Sequence, residues 1–288
     1  MIQWKRKTKV YNMKNKKLLP SDVIEARVFA LIPTQSNKAI IICRLRAKQV
    51  GVFQWDITTN KITIAQWLKG RIYEYLSDIS PDGNHFIYSA NHKGEGYTAI
   101  SKAPWIKAIS FWRNVGGWGG GIFIDNKSYM LFDGYDSYSK FIDKSLNGIN
   151  RRLLINGELP FNIKLNEFKI FGIYSARLIE QNWITIERSN NKTIFHKIIN
   201  NNLILEKIFY KGCNKKNSKG VGIFCETHNI IKNNSIIDKV DWEWCEYSNN
   251  KIFYIKKGCL YELKDINDIP KLIYNFNNEK FINKIAPY

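Results

Sequence analysis

No stretch of this sequence is apolar for long enough to cross a bilayer as a helix, which excludes a helical membrane span. The opening segment Met1–Pro20 carries Lys5, Arg6, Lys7, Lys9, Lys14, Lys16 and Lys17 but lacks the apolar core of a secretory signal. The expected location is therefore the cytoplasm. Cysteine is sparse: Cys43, Cys213, Cys225, Cys245 and Cys259 are an odd set without framework spacing, and reduced thiols are expected. Cys43 lies inside an apolar run, where a thiol acts as a small hydrophobe. There is no Gly-x-Ser-x-Gly elbow, no His-Glu-x-x-His and no Cys-x-x-Cys, which argues against a hydrolase with a standard nucleophile. A long amphipathic helix is also missing; Ser21–Ala30, with Ser21 as N-cap, is the best short stretch and ranks below strand.

Acidic residues are outnumbered, 25 against 44 Lys and Arg, giving a net charge of +19. An excess of that size favours acidic partners: nucleic acid, an anionic membrane or an acidic protein. Lys, Asn and Ile nevertheless rise together along the whole chain, as in Asn12-Met13-Lys14-Asn15-Lys16-Lys17 and Ile198-Ile199-Asn200-Asn201-Asn202. All three have A/T-rich codons, so composition alone explains much of the lysine as ordinary solvated surface.

What the sequence does contain is a packed interior, with 44% hydrophobic and 14% aromatic residues, too many for a disordered chain. From Arg27 to Gly70 four short apolar runs, Val28–Ile32, Ala39–Cys43, Val50–Ile57 and Ile62–Leu68, are separated by turn residues. The last two alternate with the period of half-buried strands; the first two are apolar throughout, as in strands covered on both faces. Four antiparallel strands in about 45 residues is the size of one β-propeller blade.

A second blade begins near Ile72, and its first hairpin carries Ser80-Pro81-Asp82-Gly83. Pro presets φ at the second turn position and Gly permits positive φ at the fourth. This turn before an apolar strand resembles the blade hairpin of TolB-type and WD40-like propellers. Turns with Asn or Gly leading into apolar strands recur, and those strands begin near residues 39, 85, 128, 182 and 251. The first three intervals fit one blade each; the last is too long for one and too short for two. An insertion is therefore placed within Gly212–Lys239. The final blade runs through Val240–Tyr247, Lys251–Ile255, Leu260–Leu263 and Leu272–Phe276, and Phe281–Tyr288 is expected to form a closing strand.

The expected fold is all-β: a propeller of four-stranded antiparallel blades, about five of them, with six as the alternative. Residues 26–288 form the propeller, and residues 1–25 form a basic N-terminal segment that is either mobile or a closing outer strand.

The most unusual stretch is Gly116-Gly117-Trp118-Gly119-Gly120-Gly121, after Phe111-Trp112-Arg113. Glycines permit close approach of a ligand or another chain. A phosphate cradle would open a helix, however, and Ile122-Phe123-Ile124 reads as a strand. A tight crossover between blades two and three, with Trp118 plugging the channel or capping a blade, is the favoured reading. The stretch Gly96–Phe123 resembles a segment of uncharacterised bacterial propeller-like proteins, a likeness that implies no activity. Trp105 beside Lys107, and Trp112 beside Arg113, have the composition of a stacking surface over a charged groove, although Trp is equally a filler between blades. The binding candidates are Trp105, Trp112, Arg113, Trp118, Gly119 and Gly120.

A zinc site would need Cys213, Cys225, His228 and Cys245, which lack paired spacing. Asp133-Gly134-Tyr135-Asp136-Ser137-Tyr138 lacks alternating oxygen ligands for calcium. Neither metal nor cofactor is expected, and no catalytic residue is assigned. The expected role is a non-catalytic bacterial ring that binds a protein partner, an acidic one given the charge, for example as an immunity-type inhibitor. The alternatives are nucleic-acid binding by a basic face, and a carbohydrate-active enzyme with Asp78, Asp133 and Glu187 around the channel.

Overall fold

In a computed structural model of the chain, the described residues are 25–45, 48–114, 119–132, 138–142, 151–154, 172–210, 224–233 and 235–288. The first sheet contains β1 (Arg27–Leu31), β2 (Lys38–Leu45), β3 (Gln49–Asp56) and β4 (Lys61–Lys69), paired antiparallel in chain order. The second is built in the same way from β5 (Arg71–Ile79), β6 (His85–His92), β7 (Glu95–Lys102) and β8 (Ala108–Arg113). The third contains β9 (Gly120–Phe123), β10 (Ser128–Phe132), β11 (Tyr138–Ile142) and β12 (Arg151–Leu154). Helix α1 (Gly172–Glu180) precedes a fourth sheet of β13 (Ile184–Arg188), β14 (Lys192–Asn200), β15 (Leu203–Tyr210), β16 (Cys225–Lys232) and β17 (Ser235–Val240). The last sheet is β18 (Trp244–Ser248), β19 (Lys251–Lys256), β20 (Cys259–Leu263) and β21 (Lys271–Asn275).

The burial pattern follows the apolar pattern. Every residue of β1 after Arg27 is buried, and so is the run Ala39–Cys43 of β2, whereas β4 alternates between covered and open positions. Strand β1 touches β5 and β18, β5 touches β9, and β16 touches β18, while α1 contacts β5, β9 and β13. The sheets thus close into a ring, and the fold is a β-propeller.

The blade count differs from expectation. Four sheets are four-stranded and the one spanning Ile184–Val240 has five strands, so the expected set of about five uniform blades, or six, is corrected to four regular ones. The anticipated insertion within Gly212–Lys239 supplies β16 and β17, as far as it is described. The turn Asn182 also plays a different part. It takes φ 63° at the end of α1, where its amide donates to the Ile179 carbonyl. The hairpin of this blade is Ser189-Asn190-Asn191-Lys192, the counterpart of Ser248-Asn249-Asn250-Lys251. The helix itself was unforeseen. It is nine residues long and buried from Gly172 through Leu178, and so short an apolar stretch reads like a buried strand. The stretch rated as the best helix ends in β1, and its first residues lie outside those described.

The hairpin turns of one rim are laced together. The Gln35 amide donates to the Pro81 carbonyl at 2.8 Å, the Asp82 amide to Asn126 Oδ1 at 2.8 Å, and Asn249 Nδ2 to Asn37 Oδ1 at 3.2 Å. In the Ser80–Gly83 turn the Gly83 amide donates to the Ser80 carbonyl, and Gly83 has φ 74°. At the other rim the ring is joined through Asn277, whose Oδ1 accepts from the Ala26 amide at 2.8 Å.

The C-terminal residues Phe281–Tyr288 form no strand, contrary to expectation. They run outside the first two sheets as a strap. The Phe281 ring lies 6.1 Å from that of Trp67, Lys284 Nζ donates to the Ile64 carbonyl, and the Tyr288 hydroxyl accepts from the Lys102 amide and donates to the Lys107 carbonyl. Pro287, which has no amide hydrogen, suits such a strap better than a sheet.

Candidate functional site

The centre of the ring is filled with aromatic side chains. Phe29 of β1, Tyr75 of β5, Tyr174 of α1 and Phe209 of β15 meet with ring centroids 4.8 to 5.2 Å apart along the sequence Phe29–Tyr75–Tyr174–Phe209. Four remote segments therefore converge on one aromatic knot among the described residues.

Beside that knot β5 departs from regular pairing. Tyr73 faces Ser89 and Asp78 faces Ile87, so Glu74, Tyr75, Leu76 and Ser77 all lie opposite Tyr88. Bulges of this kind re-aim side chains. The Ser77 hydroxyl donates to the Tyr73 carbonyl at 2.8 Å, tying the base of the bulge. Arg177 of α1 caps it by donating to the carbonyls of Glu74 and Ser77, while its guanidinium lies over the rings of Phe29 and Tyr174 at 5.2 and 4.9 Å. The bulge sends Leu76 towards Ile173 and Ala176 of the helix and holds Glu74 and Tyr75 beside the rim.

There a small pocket, open to solvent, is lined by Arg27, Arg71, Tyr73, Glu74, Tyr75, Leu76 and Phe224. Antiparallel pairing sets Arg27 directly across from Arg44, a like-charge pairing that is unfavourable unless an anion lies nearby. Glu74 is that anion: its Oε1 is 3.6 Å from Arg27 Nη2. Burial opposes the Glu74 charge, but Arg44 and Arg27 outweigh it and hold the carboxyl below its ordinary range. Burial, together with repulsion from Arg27 and Arg71, pulls the Arg44 guanidinium down to about 10, so it stays cationic at neutral pH. Arg71 stacks over the Tyr73 ring at 4.9 Å, and its buried Nε has no hydrogen-bond partner. A buried donor left without an acceptor costs on the order of 1–3 kcal/mol.

A second polar group, fully buried, joins α1 to the fourth and fifth sheets. The Tyr174 hydroxyl donates to Glu226, Lys207 Nζ lies 3.4 Å from Glu226 Oε2, and His228 Nε2 lies 3.1 Å from the same oxygen. Burial works against the Glu226 charge, yet Lys207 and His228 bring the carboxyl down to about 2. His228 is opposed by burial but raised to about 9 by Cys245 and Glu226. With side-chain exposures of 1% or less, these groups hold elements together and meet no solute.

The residues singled out from sequence are dispersed. Trp112 pairs with Thr98 and packs 6.0 Å from Tyr129; Arg113 is exposed at the end of β8. Trp105 lies under Lys284 of the strap, 6.0 Å from its Nζ. Gly119 and Gly120 are buried at the crossover between the second and third sheets. A Cβ on Gly119 would collide with Asn114, and one on Gly120 with the Leu76 carbonyl. Trp118 lies outside the described residues, as do Asp133 and Cys213. Asp78 is 2% exposed and accepts from the Phe123 amide at 2.9 Å; its charged neighbours are Arg177 and Glu180. Glu187 is solvated and paired with Lys192. Cys43, Cys245 and Cys259 are buried thiols, but Cys225 is disulfide-bonded, against the expectation that all are reduced. Among the described residues no group of three or more His, Cys, Asp or Glu is placed to hold a metal ion.

The arginine pocket was missed in the sequence because Arg27, Arg44 and Arg71 are separated along the chain and only strand register gathers them. The one local signal, Arg71-Ile72-Tyr73-Glu74-Tyr75, sits in an otherwise ordinary strand.

No known family model matches the sequence, and no curated protein does. Among solved structures, the chain is similar to an uncharacterized protein from Listeria monocytogenes EGD-e at 10% identity and a TM-score of 0.36, with 83% of this chain and 62% of that one covered. A Pyrococcus horikoshii acylaminoacyl peptidase aligns at 10% identity and 0.36, covering 88% of this chain and 45% of its own. The Cps50 (Swd1) β-propeller domain of Myceliophteria thermophila aligns at 8% and 0.34, covering 81% of each. The chain thus spans less than two thirds of the length of the first two. Its propeller fold is read from its own sheets and their contacts.

Proposed function

We propose that this chain is a non-catalytic binding ring that engages a protein partner through the rim bearing Arg27, Arg44 and Arg71. The observation that carries the reading is the aromatic knot over α1. With the centre filled, the accessible chemistry collects in the rim pocket. An acidic partner matches both that pocket and the net charge of +19. Within this reading the finer assignment is a cytoplasmic, bacterial, immunity-type inhibitor of TolB-type or WD40-like blade construction. The glycoside-cleaving alternative has little support, since Asp78 is buried and Glu187 is not among its charged neighbours. A basic nucleic-acid face is weakened on the opposite rim by local acids. Lys38 lies across from Asp56, and Lys251 lies 3.2 Å from Glu262.

The test is affinity capture from the native host at moderate salt with nuclease present, using the wild-type chain and an Arg27→Glu/Arg71→Glu variant. A stoichiometric protein retained by the wild type and lost by the variant is expected. Recovery of nucleic acid alone, once nuclease is omitted, would overturn the reading.

A further inference from the structure

Residues Phe281–Tyr288 lie on the first two sheets as a bound peptide lies on a receptor. We infer that this outer face is a docking groove for an extended, acidic segment of a partner polypeptide, which Phe281–Tyr288 occupies in cis. The inference rests on the protein-binding reading above but names a surface other than the arginine rim.

The segment is held by side chains alone. Among the described residues, no backbone amide or carbonyl of Phe281–Tyr288 is hydrogen-bonded to the sheets. Phe281 packs on Trp67 with Lys69 Nζ 5.1 Å from its own ring centroid. Lys284 Nζ donates to the Ile64 carbonyl, and the Tyr288 hydroxyl bridges the Lys102 amide and the Lys107 carbonyl. Ala286 is buried between these anchors, while Ile282 and Ile285 are 49% and 81% exposed. A segment fixed at spaced side-chain anchors, its main chain left to water, leaves without breaking a ladder, as recognised peptides do.

Charge identifies the occupant that fits better. Lys69, Lys102 and Lys107 of the groove are exposed, and the segment itself adds Lys280 and Lys284. Among the described residues, none of these lysines forms an ion pair with a carboxylate. Lys102 and Lys107 crowd a single ring, that of Tyr288, at 5.1 and 5.2 Å, and Lys284 gains only a contact at 6.0 Å with Trp105. Like charges brought together repel, so acidic residues in place of the segment's lysines would be drawn into the groove. Phe281 at one end and Tyr288 at the other define the rest of the partner: an aromatic side chain on either side of an acidic centre.

The probe is a labelled peptide with the sequence of Phe281–Tyr288 carrying Asn283→Glu and Lys284→Glu. Its fluorescence anisotropy is followed against the full chain and against a full-length Phe281→Ala/Tyr288→Ala variant, whose own segment is loosened. Saturable binding at least about tenfold tighter to the variant is expected, because the cis segment competes at high effective concentration. A peptide of unchanged sequence should bind at least about threefold more weakly than the acidic one. Added to that variant, Lys69→Gln/Lys102→Gln/Lys107→Gln should weaken binding at least about tenfold. Lys38→Gln/Lys127→Gln/Lys264→Gln, three exposed lysines elsewhere, should change it less than about twofold. Thermal melts establish that each variant is folded. On the wild-type chain, saturating acidic peptide should speed tryptic cleavage after Lys284 at least about fivefold as the segment is freed. No saturable binding, equal affinity for wild type and variant, tighter binding of the unchanged sequence, equal losses from the two lysine triplets or an unchanged cleavage rate each overturns the inference. A single-stranded oligonucleotide that binds the variant where the peptide does not also overturns it, in favour of nucleic acid. Because the peptide is supplied and Arg27 and Arg71 stay intact, failure here leaves the rim reading to its own test.

Discussion

Asp78 and Glu180 share the guanidinium of Arg177, which is too little to compensate both. Burial, and then the neighbouring Asp78 charge, push Glu180 up to about 8, against an ordinary value of 4.5. Burial pushes Asp78 up to about 6. A carboxyl whose pKa is raised on folding contributes stability below its unfolded value and loses it as pH climbs through the folded one. Glu180→Gln, which mimics the protonated form, should therefore melt a few degrees above wild type at pH 8 to 9 and coincide with it near pH 4. Melting curves across pH check this, and equal melting at pH 8 to 9 would contradict it. The Glu226–His228 pair adds opposite limbs. Glu226, lowered to about 2, protects above 4.5 and ceases to do so as pH falls towards 2; His228, raised to about 9, protects below 6.5 and ceases to as pH rises through 9. An alkaline loss should hence persist, more shallowly, in the Glu180→Gln protein. Glu226 and His228 lie two residues apart on β16, but Lys207, Cys245 and Tyr174 come to them from other strands and the helix, and Asp78 of β5 meets Glu180 of α1, so these groupings were not legible in the sequence.

Strands β1 to β4 were legible at the level of single elements, since alternation and continuous apolar runs report burial on one face or two. The β5 bulge was not. Its four looped residues, Glu74 to Ser77, are as strand-like in composition as their neighbours, and what expels them is the Arg177 guanidinium and the helix beneath. Helix α1 was hidden because nine residues are too few for periodicity to separate a helix from a short buried strand. The glycines at 119 to 121 were conspicuous but ambiguous, and packing gives them a crossover role. Gly120 adopts φ 148° and has the Leu76 carbonyl where a side chain would start, whereas Gly94, at φ 94°, faces open space. Urea unfolding should therefore show Gly120→Ala destabilised by at least about 2 kcal/mol, and Gly94→Ala by about 1 kcal/mol from backbone strain alone. Equal effects would mean that the close approach at Gly120 is easily relieved.

On the scale of the whole molecule, the two ends of the ring share no sheet among the described residues. Asn277 joins the last blade to Ala26, Asn249 reaches Asn37, and Phe281–Tyr288 straps the first two sheets from outside. Removing Phe281–Tyr288 should increase hydrogen exchange in β4 and at the β7–β8 connection and lower the melting temperature, while β14 and β15 keep their protection. Unchanged exchange in β4 would show that the strap is dispensable. The apolar period and the Asn- and Gly-bearing turns already dictated antiparallel strands, successive hairpins and a propeller, because those features depend on neighbours within a few residues. The strand number of each sheet, the filled centre and the arginine pocket arose only with tertiary structure. They depend on register, on a bulge and on which remote residues share a volume, and no local pattern encodes a distance between Arg27, Arg44 and Arg71.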